Sequence, residues 1–384
     1  MKKTVSILLA ALLLLAAIGC TEPEPEQPEP TAAPVVEQPT PEPAAEPTEE
    51  PLPETFLFTD SVGREVELPT NIERVAVSGP LAQIVLFALC PDRLVGIASR
   101  WDKSAEPFLA AEYDRLPELG QLYGGKGELN LETLLNSGAQ VVIDVGEPKK
   151  SVREDLDALT EQTGIPFVHV TATISGMGDA YRKLGELLHM PEEAETLAAY
   201  CDRVYADTVR IASTVEKANL LYITGENGLN VIAKDSYHAE IIDLLSNNLA
   251  LVESPSSKGT GNEVDMEQIL LWNPDVILFA PGSIYATVGA DDTWKNVAAI
   301  RNGTYYEVPT GPYNWMGFPP SVQRLLGMRW MAKLLYPDAA DYDLYGETAE
   351  YFKLFFHCEL SEDAYHALVA NSIGAQTNSL APAA

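Results

Sequence analysis

Seven residues in loop-like stretches carry side chains able to grip a small solute. They are Arg100 and Trp101 in ASRWD, Tyr123 and Lys126 in LYGGKGELN, Tyr237 and His238 in AKDSYHAE, and Trp315 in GPYNWMGFPP. Aromatic rings stack on planar groups, and Arg or Lys offsets negative charge through directed hydrogen bonds. Lys149 and Lys150 in VGEPKK add two further cations, and Met316 lies beside Trp315. A histidine such as His238 can ligate a metal or donate a hydrogen bond. This combination suits a planar or catecholate metal chelate. It does not suit catalysis. The chain has no G-x-S-x-G, H-E-x-x-H or phosphate-loop pattern, TGENG is too short for a dinucleotide fingerprint, and the histidines form no spaced pair. The sequence therefore assigns no catalytic residue, no resident metal and no cofactor.

The elements that must position these residues alternate between two periods. RVAVSG (74–79) reads as a strand, LAQIVLFALC as a helix and RLVGIAS as a second strand. NLETLLNSG, AQVVIDVG, SVREDLDALTEQTG and IPFVHV continue as helix, strand, helix, strand. The order then repeats. NLLYITG (219–225) is a strand, SYHAEIIDLLSNN a loop and helix, LALVES a strand, and VDMEQILLWNPDVILFAPG a helix and buried strand. NLETLLNSGAQVVIDV aligns with DMEQILLWNPDVILFA, which sets Glu132 over Glu267 and Val141 over Val276. Val75 to Gly79 aligns with Leu221 to Gly225. Alternating strands and helices build a mainly parallel sheet covered on both faces. The expected fold is α/β, with two pseudo-symmetric lobes, 55–172 and 217–384. A long stiff helical region, 173–216, joins them, broken near Met190 by Pro191. Ligands of open α/β sheets bind beyond the carboxyl ends of strands. A cleft between the lobes would be lined by loops 78–80, 98–102, 122–130, 145–150, 224–228, 233–240 and 280–289. GPYNWMGFPP follows a strand and joins this set, with Tyr313, Asn314, Trp315 and Met316 facing the ligand and Pro319 and Pro320 opening a helix.

The amino-terminal stretch addresses the chain. MKK is followed by a fifteen-residue apolar run, TVSILLAALLLLAAI, short of the roughly twenty residues of a membrane span. This is the pattern of a signal peptide over residues 1–19. AIGC resembles a bacterial lipobox and makes Cys20 the expected lipidation site, although Ala17 stands where Leu is usual. Residues 21–54 hold eleven prolines, ten glutamates and no basic residue. Such a segment buries too little to order itself and acts as an extended spacer. The net charge is −31, of which −23 remains after the two leading lysines and the spacer glutamates are set aside. That balance argues against nucleic acid as a partner. Cys90, Cys201 and Cys358 have no metal-site spacing, and read as buried thiols or one disulfide and one thiol.

Several of these stretches resemble a known family. RVAVSGPLAQIVLFALCPDRLVGIA, NLETLL, NPDVILFA, WKNVAAIRNGTYYEVP and LLGMRWMAKLLYPD, in this order, are similar to the bacterial substrate-binding lipoproteins of ABC importers. The class is the one with a rigid helical backbone that serves iron-siderophore, haem and cobalamin uptake. The resemblance covers roughly residues 56–360. It implies an extracytoplasmic protein, anchored to the cell membrane only by its lipid, that hands a solute to a permease and ATPase complex. It also implies docking on that complex through one surface carboxylate per lobe, Glu132 in NLETLL and Glu267 in DMEQIL. The expected ligand is a siderophore-type ferric chelate. Molybdate or tungstate, haem and a corrinoid are the other classes. GGKG and SGP supply backbone N–H groups for an oxyanion, and Met316 or His238 an axial group for a haem or corrinoid. A surface adhesin or a sensing lobe is the distant reading.

Overall fold

The short β-branched runs become strands, and the glycines and prolines that bound them become turns. A computed structural model describes residues 53–123, 128–317 and 319–375. The signal peptide, Cys20, the spacer up to residue 52, and Lys126 lie outside the described residues.

The first lobe opens with an antiparallel hairpin, β1 (Thr55–Thr59) and β2 (Glu65–Pro69). Its sheet is parallel, in the order β3 (Val75–Val77), β4 (Val141–Gly146) and β5 (Phe167–Thr171). Between β3 and β4 run α1 (Pro80–Leu89), the short α2 (Ala111–Asp114) and α3 (Leu131–Ser137). α4 (Val152–Thr163) links β4 to β5. RLVGIAS, expected as a strand, makes only two isolated bridges, Val75 to Leu94 and Ile97 to Glu118.

Two helices then form the connection. α5 (Met177–Leu188) ends at His189, which takes the left-handed conformation at φ 54°. Pro191 is the first residue of α6 (Pro191–Thr214). Proline fits that first turn because its missing N–H would be unbonded there. α6 packs on α1 and α5 at one side and on two second-lobe helices, α7 (Glu240–Leu245) and α11 (Gln323–Leu335), at the other.

The second lobe contains β6 (Asn219–Thr224), β7 (Asn230–Val231), α7 (Glu240–Leu245), β8 (Asn247–Asn248), β9 (Asn262–Glu263), α8 (Met266–Trp272), β10 (Val276–Phe279), α9 (Tyr285–Val288), α10 (Ala298–Asn302) and β11 (Tyr305–Glu307). The chain closes with α11 (Gln323–Leu335), α12 (Leu344–Phe356) and α13 (Glu362–Leu368). The sheet runs β11-β10-β6-β7-β9, with β8 beside β6. β6, β8, β10 and β11 pair in parallel, and β7 pairs antiparallel to β6 and β9.

The internal repeat survives in the coordinates with one correction. Val75 pairs with Val141, whereas Val276 pairs with Leu220 rather than Leu221. The first strands therefore match one residue earlier than their sequences suggest. Val75–Val77 and Leu220–Ile223 are buried throughout. A strand apolar on both faces has no alternation to fix its register.

The largest hydrophobic core crosses between the lobes. It joins Phe87 of α1, Tyr181 of α5, Val204 of α6, Leu220 of β6, Trp330 of α11 and Phe355 of α12. Burial of side chains this size contributes about 1.5–3 kcal/mol each. Smaller cores lie within each lobe, around Leu134 and Phe167 in the first and around Ile277 and Phe279 in the second. Cys90, Cys201 and Cys358 are free thiols.

Candidate functional site

A cavity of about 590 Å³ lies between the lobes. The first lobe contributes Ser78, Gly79, Pro80 and Leu81 at the β3–α1 junction, Gln121 and Tyr123, Asp144 to Glu147 at the end of β4, and Lys149. The second contributes Tyr237, His238, Ser257, Pro319 and Pro320. Loops 78–80, 122–130, 145–150 and 233–240 therefore reach the cleft as the sequence predicts, and among its described residues GPYNWMGFPP does so through Pro319 and Pro320.

The first-lobe wall is built on a polar chain across three strands. Ser78, just beyond β3, donates its Oγ hydrogen to Asp144 Oδ1 at 2.5 Å. His169, the register partner of Asp144 on β5, brings Nδ1 to Asp144 Oδ2 at 2.7 Å. A ring nitrogen facing a carboxylate carries the proton, so Nδ1–H donates. The Tyr123 hydroxyl donates to Asp155 Oδ2 at 2.9 Å. Burial, and then this bond to Asp155, push the Tyr123 phenol well above its usual range.

The second-lobe wall rests on α11. Arg324 is buried, forms an ion pair with Glu240, and donates from Nη2 to the Tyr237 carbonyl at 2.9 Å. Its guanidinium carbon sits 4.7 Å from the centre of the Tyr237 ring, a cation–π distance. Burial holds Arg324 below its ordinary value, and burial raises Tyr237. His238, with its ring centre 5.5 Å from that of Tyr237, is held below its usual value by burial and then by Arg324. Gly317 makes this possible. At φ 94° it has no Cβ, and one placed there would lie 2.5 Å from Arg324 Nε.

Three sequence-predicted residues stand elsewhere. Trp315 is 0% exposed and donates from Nε1 to the Gly311 carbonyl at 2.9 Å. Met316 and Tyr313 are buried with it. Tyr313, Trp315 and Met316 fold into the core, and among the described residues of the stretch Pro319 and Pro320 line the cavity. Trp101 is also buried, donating to the Tyr113 carbonyl at 3.2 Å with its ring on Phe87. Arg100 is solvent-exposed and pairs with Glu118 at 2.9 Å, outside the cavity wall. Lys149 lines the cavity and Lys150 does not. Loops 98–102, 224–228 and 280–289 are likewise not part of the wall. Sequence reasoning missed Asp144, His169 and Arg324. The signal for the first two was a lone polar residue inside an apolar strand, AQVVIDVG and IPFVHV.

Glu132 and Glu267 occupy the same place in the two lobes. Each is the second residue of its helix, after an N-cap whose side chain accepts from the third residue: Asn130 from Thr133 N, and Asp265 from Gln268 N. Each helix ends in a left-handed cap, Gly138 or Asn273, before β4 or β10. Both glutamates are exposed. Among the described residues, no group of three His, Cys, Asp or Glu side chains could hold a metal ion, and no helix is long and apolar enough to cross a membrane.

Two α/β lobes, a helical connection and an inter-lobe cavity define a bilobal solute-binding protein. The chain belongs to the periplasmic binding protein family, whose model matches residues 95–311. This is a transport family of ABC importers and not an enzyme class. Among solved structures, the chain is similar to an ABC transporter solute-binding protein from Sulfurospirillum deleyianum. They share 27% identity over 81% of this chain and 98% of that one, with a TM-score of 0.73. A periplasmic solute-binding protein from Veillonella parvula shares 25% identity over 82% and 97%, with a TM-score of 0.69. The molybdate-binding periplasmic protein of a Haemophilus influenzae ABC transporter shares 20% identity over 80% and 99%, with a TM-score of 0.63. No curated protein matches the chain.

Proposed function

We propose that this extracytoplasmic ABC solute-binding protein captures a siderophore-type ferric chelate and delivers it to a permease and ATPase complex. One observation carries the reading. The cavity measures about 590 Å³, and Tyr123 from one lobe and Tyr237 from the other stand on its walls. That volume lies within the range of small-molecule sites and leaves a bare oxyanion largely unsupported. Two phenol rings on opposite walls pack against the organic arms of a chelate. In this reading Cys20 carries the lipid anchor, residues 21–54 are the spacer, and Glu132 and Glu267 meet cations on the permease. Titration with ferric chelates, followed by melting temperature, tests the ligand class. A ferric chelate is expected to raise the melting temperature. A rise with tungstate and with no ferric chelate contradicts the reading.

The oxyanion is a second reading with an observation of its own. The first turn of the ten-residue helix α1 lines the cavity at Pro80, Leu81 and Ala82. Helix N-termini present unbonded N–H groups to anions.

A further inference from the structure

We propose that the first-lobe wall selects ligands of neutral or positive charge, with Asp144 as the specificity-determining acceptor. The inference rests on the chelate reading of the cleft and names the charge class of that ligand. Asp144 lines the cavity, and its carboxylate is fixed at 2.5 Å by Ser78 and at 2.7 Å by His169. Two ionised oxygens offer about four acceptor positions. Among the described residues two are filled from within the protein, which leaves capacity for a donor in the cavity.

Among the described residues, no Lys or Arg side chain forms an ion pair with Asp144 from behind. His169 is fully buried, and its Nε2 has no hydrogen-bond partner. The Arg64 guanidinium, which donates to the Phe167 carbonyl of β5, is taken by Asp60 at 3.0 Å and Asp157 at 2.8 Å. Asp60 also receives the His169 backbone N–H at 3.3 Å.

The rest of the described wall does not restore positive charge. Glu147 adds a second carboxylate, and Lys149 a single exposed ammonium. On the second lobe the guanidinium of Arg324 is answered by Glu240. Arg100, the cation expected to offset an anionic chelate, points to Glu118 instead. A low-dielectric cleft in a chain of net charge −31 concentrates this negative potential. An uncharged or cationic solute, or one that presents N–H groups, gains at Asp144. An anionic one is repelled.

The test is calorimetric titration at low salt with four probes. Ferrioxamine B is a cationic ferric chelate and cyanocobalamin is uncharged. A ferric tris-catecholate and tungstate are anions. Ferrioxamine B or cyanocobalamin is expected to bind at least tenfold tighter than either anion. Asp144→Asn should cut that preference about tenfold. Arg100→Gln, outside the cavity wall, should leave it within about threefold. Glu147→Gln, on an exposed residue, should narrow it about threefold and decides the matter if the Asp144 variant does not fold. Tightest binding of an anion, binding of none of the probes, or an Asp144→Asn variant that weakens every probe equally overturns the proposal. If cyanocobalamin alone binds, charge selection stands and the ferric reading falls. If the ferric tris-catecholate binds tightest, the ferric reading stands and charge selection falls.

Discussion

The two lobes repeat the same strand–helix units yet present different walls to the cleft. In the first lobe, residues at or just beyond the ends of β3 and β4 form the wall, as a parallel sheet favours. In the second, the loops after β6 and β10 are absent from it. They pack on each other instead. Ser283 Oγ donates to the Gly225 carbonyl at 2.7 Å, and Ile284 sits so close to Gly228 that a Cβ there would overlap it. β7 folds back antiparallel on β6, and Trp294 and Ile284 join that lobe's own core. The second-lobe residues that line the cavity are Tyr237 and His238, ahead of α7, Ser257, and Pro319 and Pro320, ahead of α11. A shared fold therefore fixes where helices such as α3 and α8 stand, while the loops that line the cavity differ between the lobes.

The largest expected effect lies in the part of the two lobes that stays symmetric. Reversing both Glu132 and Glu267 to Lys is expected to abolish solute uptake by cells while leaving solute affinity in titration unchanged. Unimpaired uptake would reduce the pair to ordinary early-helix glutamates at the positive helix end. Next comes the stretch around Trp315. Trp315→Ala should cost about 3–5 kcal/mol in chemical denaturation, with the affinity of the folded fraction near that of the parent. Full stability with lost affinity would return Trp315 to the cleft. Tyr237→Ala should do the reverse, weakening solute binding about tenfold through loss of a wall ring. An unaltered affinity would take the second-lobe wall out of recognition.

These contrasts also mark what could be read without coordinates. The alternation of strands and helices, the break at Pro191 and the Glu132–Glu267 match were legible because they depend on local periods and punctuation. Tyr123, Tyr237 and His238 were legible as loop residues near predicted strand ends. Trp101 and Trp315 were misplaced because burial of a loop aromatic depends on distant partners. Phe87 and Tyr313 close around Trp101, and nothing in ASRWD announces them. Arg324 was hidden inside a helix whose pattern reads as core. Asp144 sat in plain view within VVIDV, but its meaning requires Ser78 and His169 from two other strands.

The smallest expected effect is a pH slope. Burial holds His238 below its usual value near 6.5 in the folded protein. Its neutral form is therefore favoured by folding, and that contribution is complete above pH 6.5 and lost as the pH falls below it. The melting temperature should drop between pH 7 and pH 5, and His238→Gln should flatten part of that drop. An unchanged slope would mean that other groups set it.

The most direct test of the central claim is native mass spectrometry of the protein mixed with equimolar ferrioxamine B, ferric tris-catecholate, cyanocobalamin and tungstate. The expected result is a one-to-one adduct with the mass of a ferric chelate, diminished in line with an affinity about tenfold weaker when Tyr237 is replaced by Ala. An adduct of tungstate alone, or a chelate adduct indifferent to Tyr237, would contradict it.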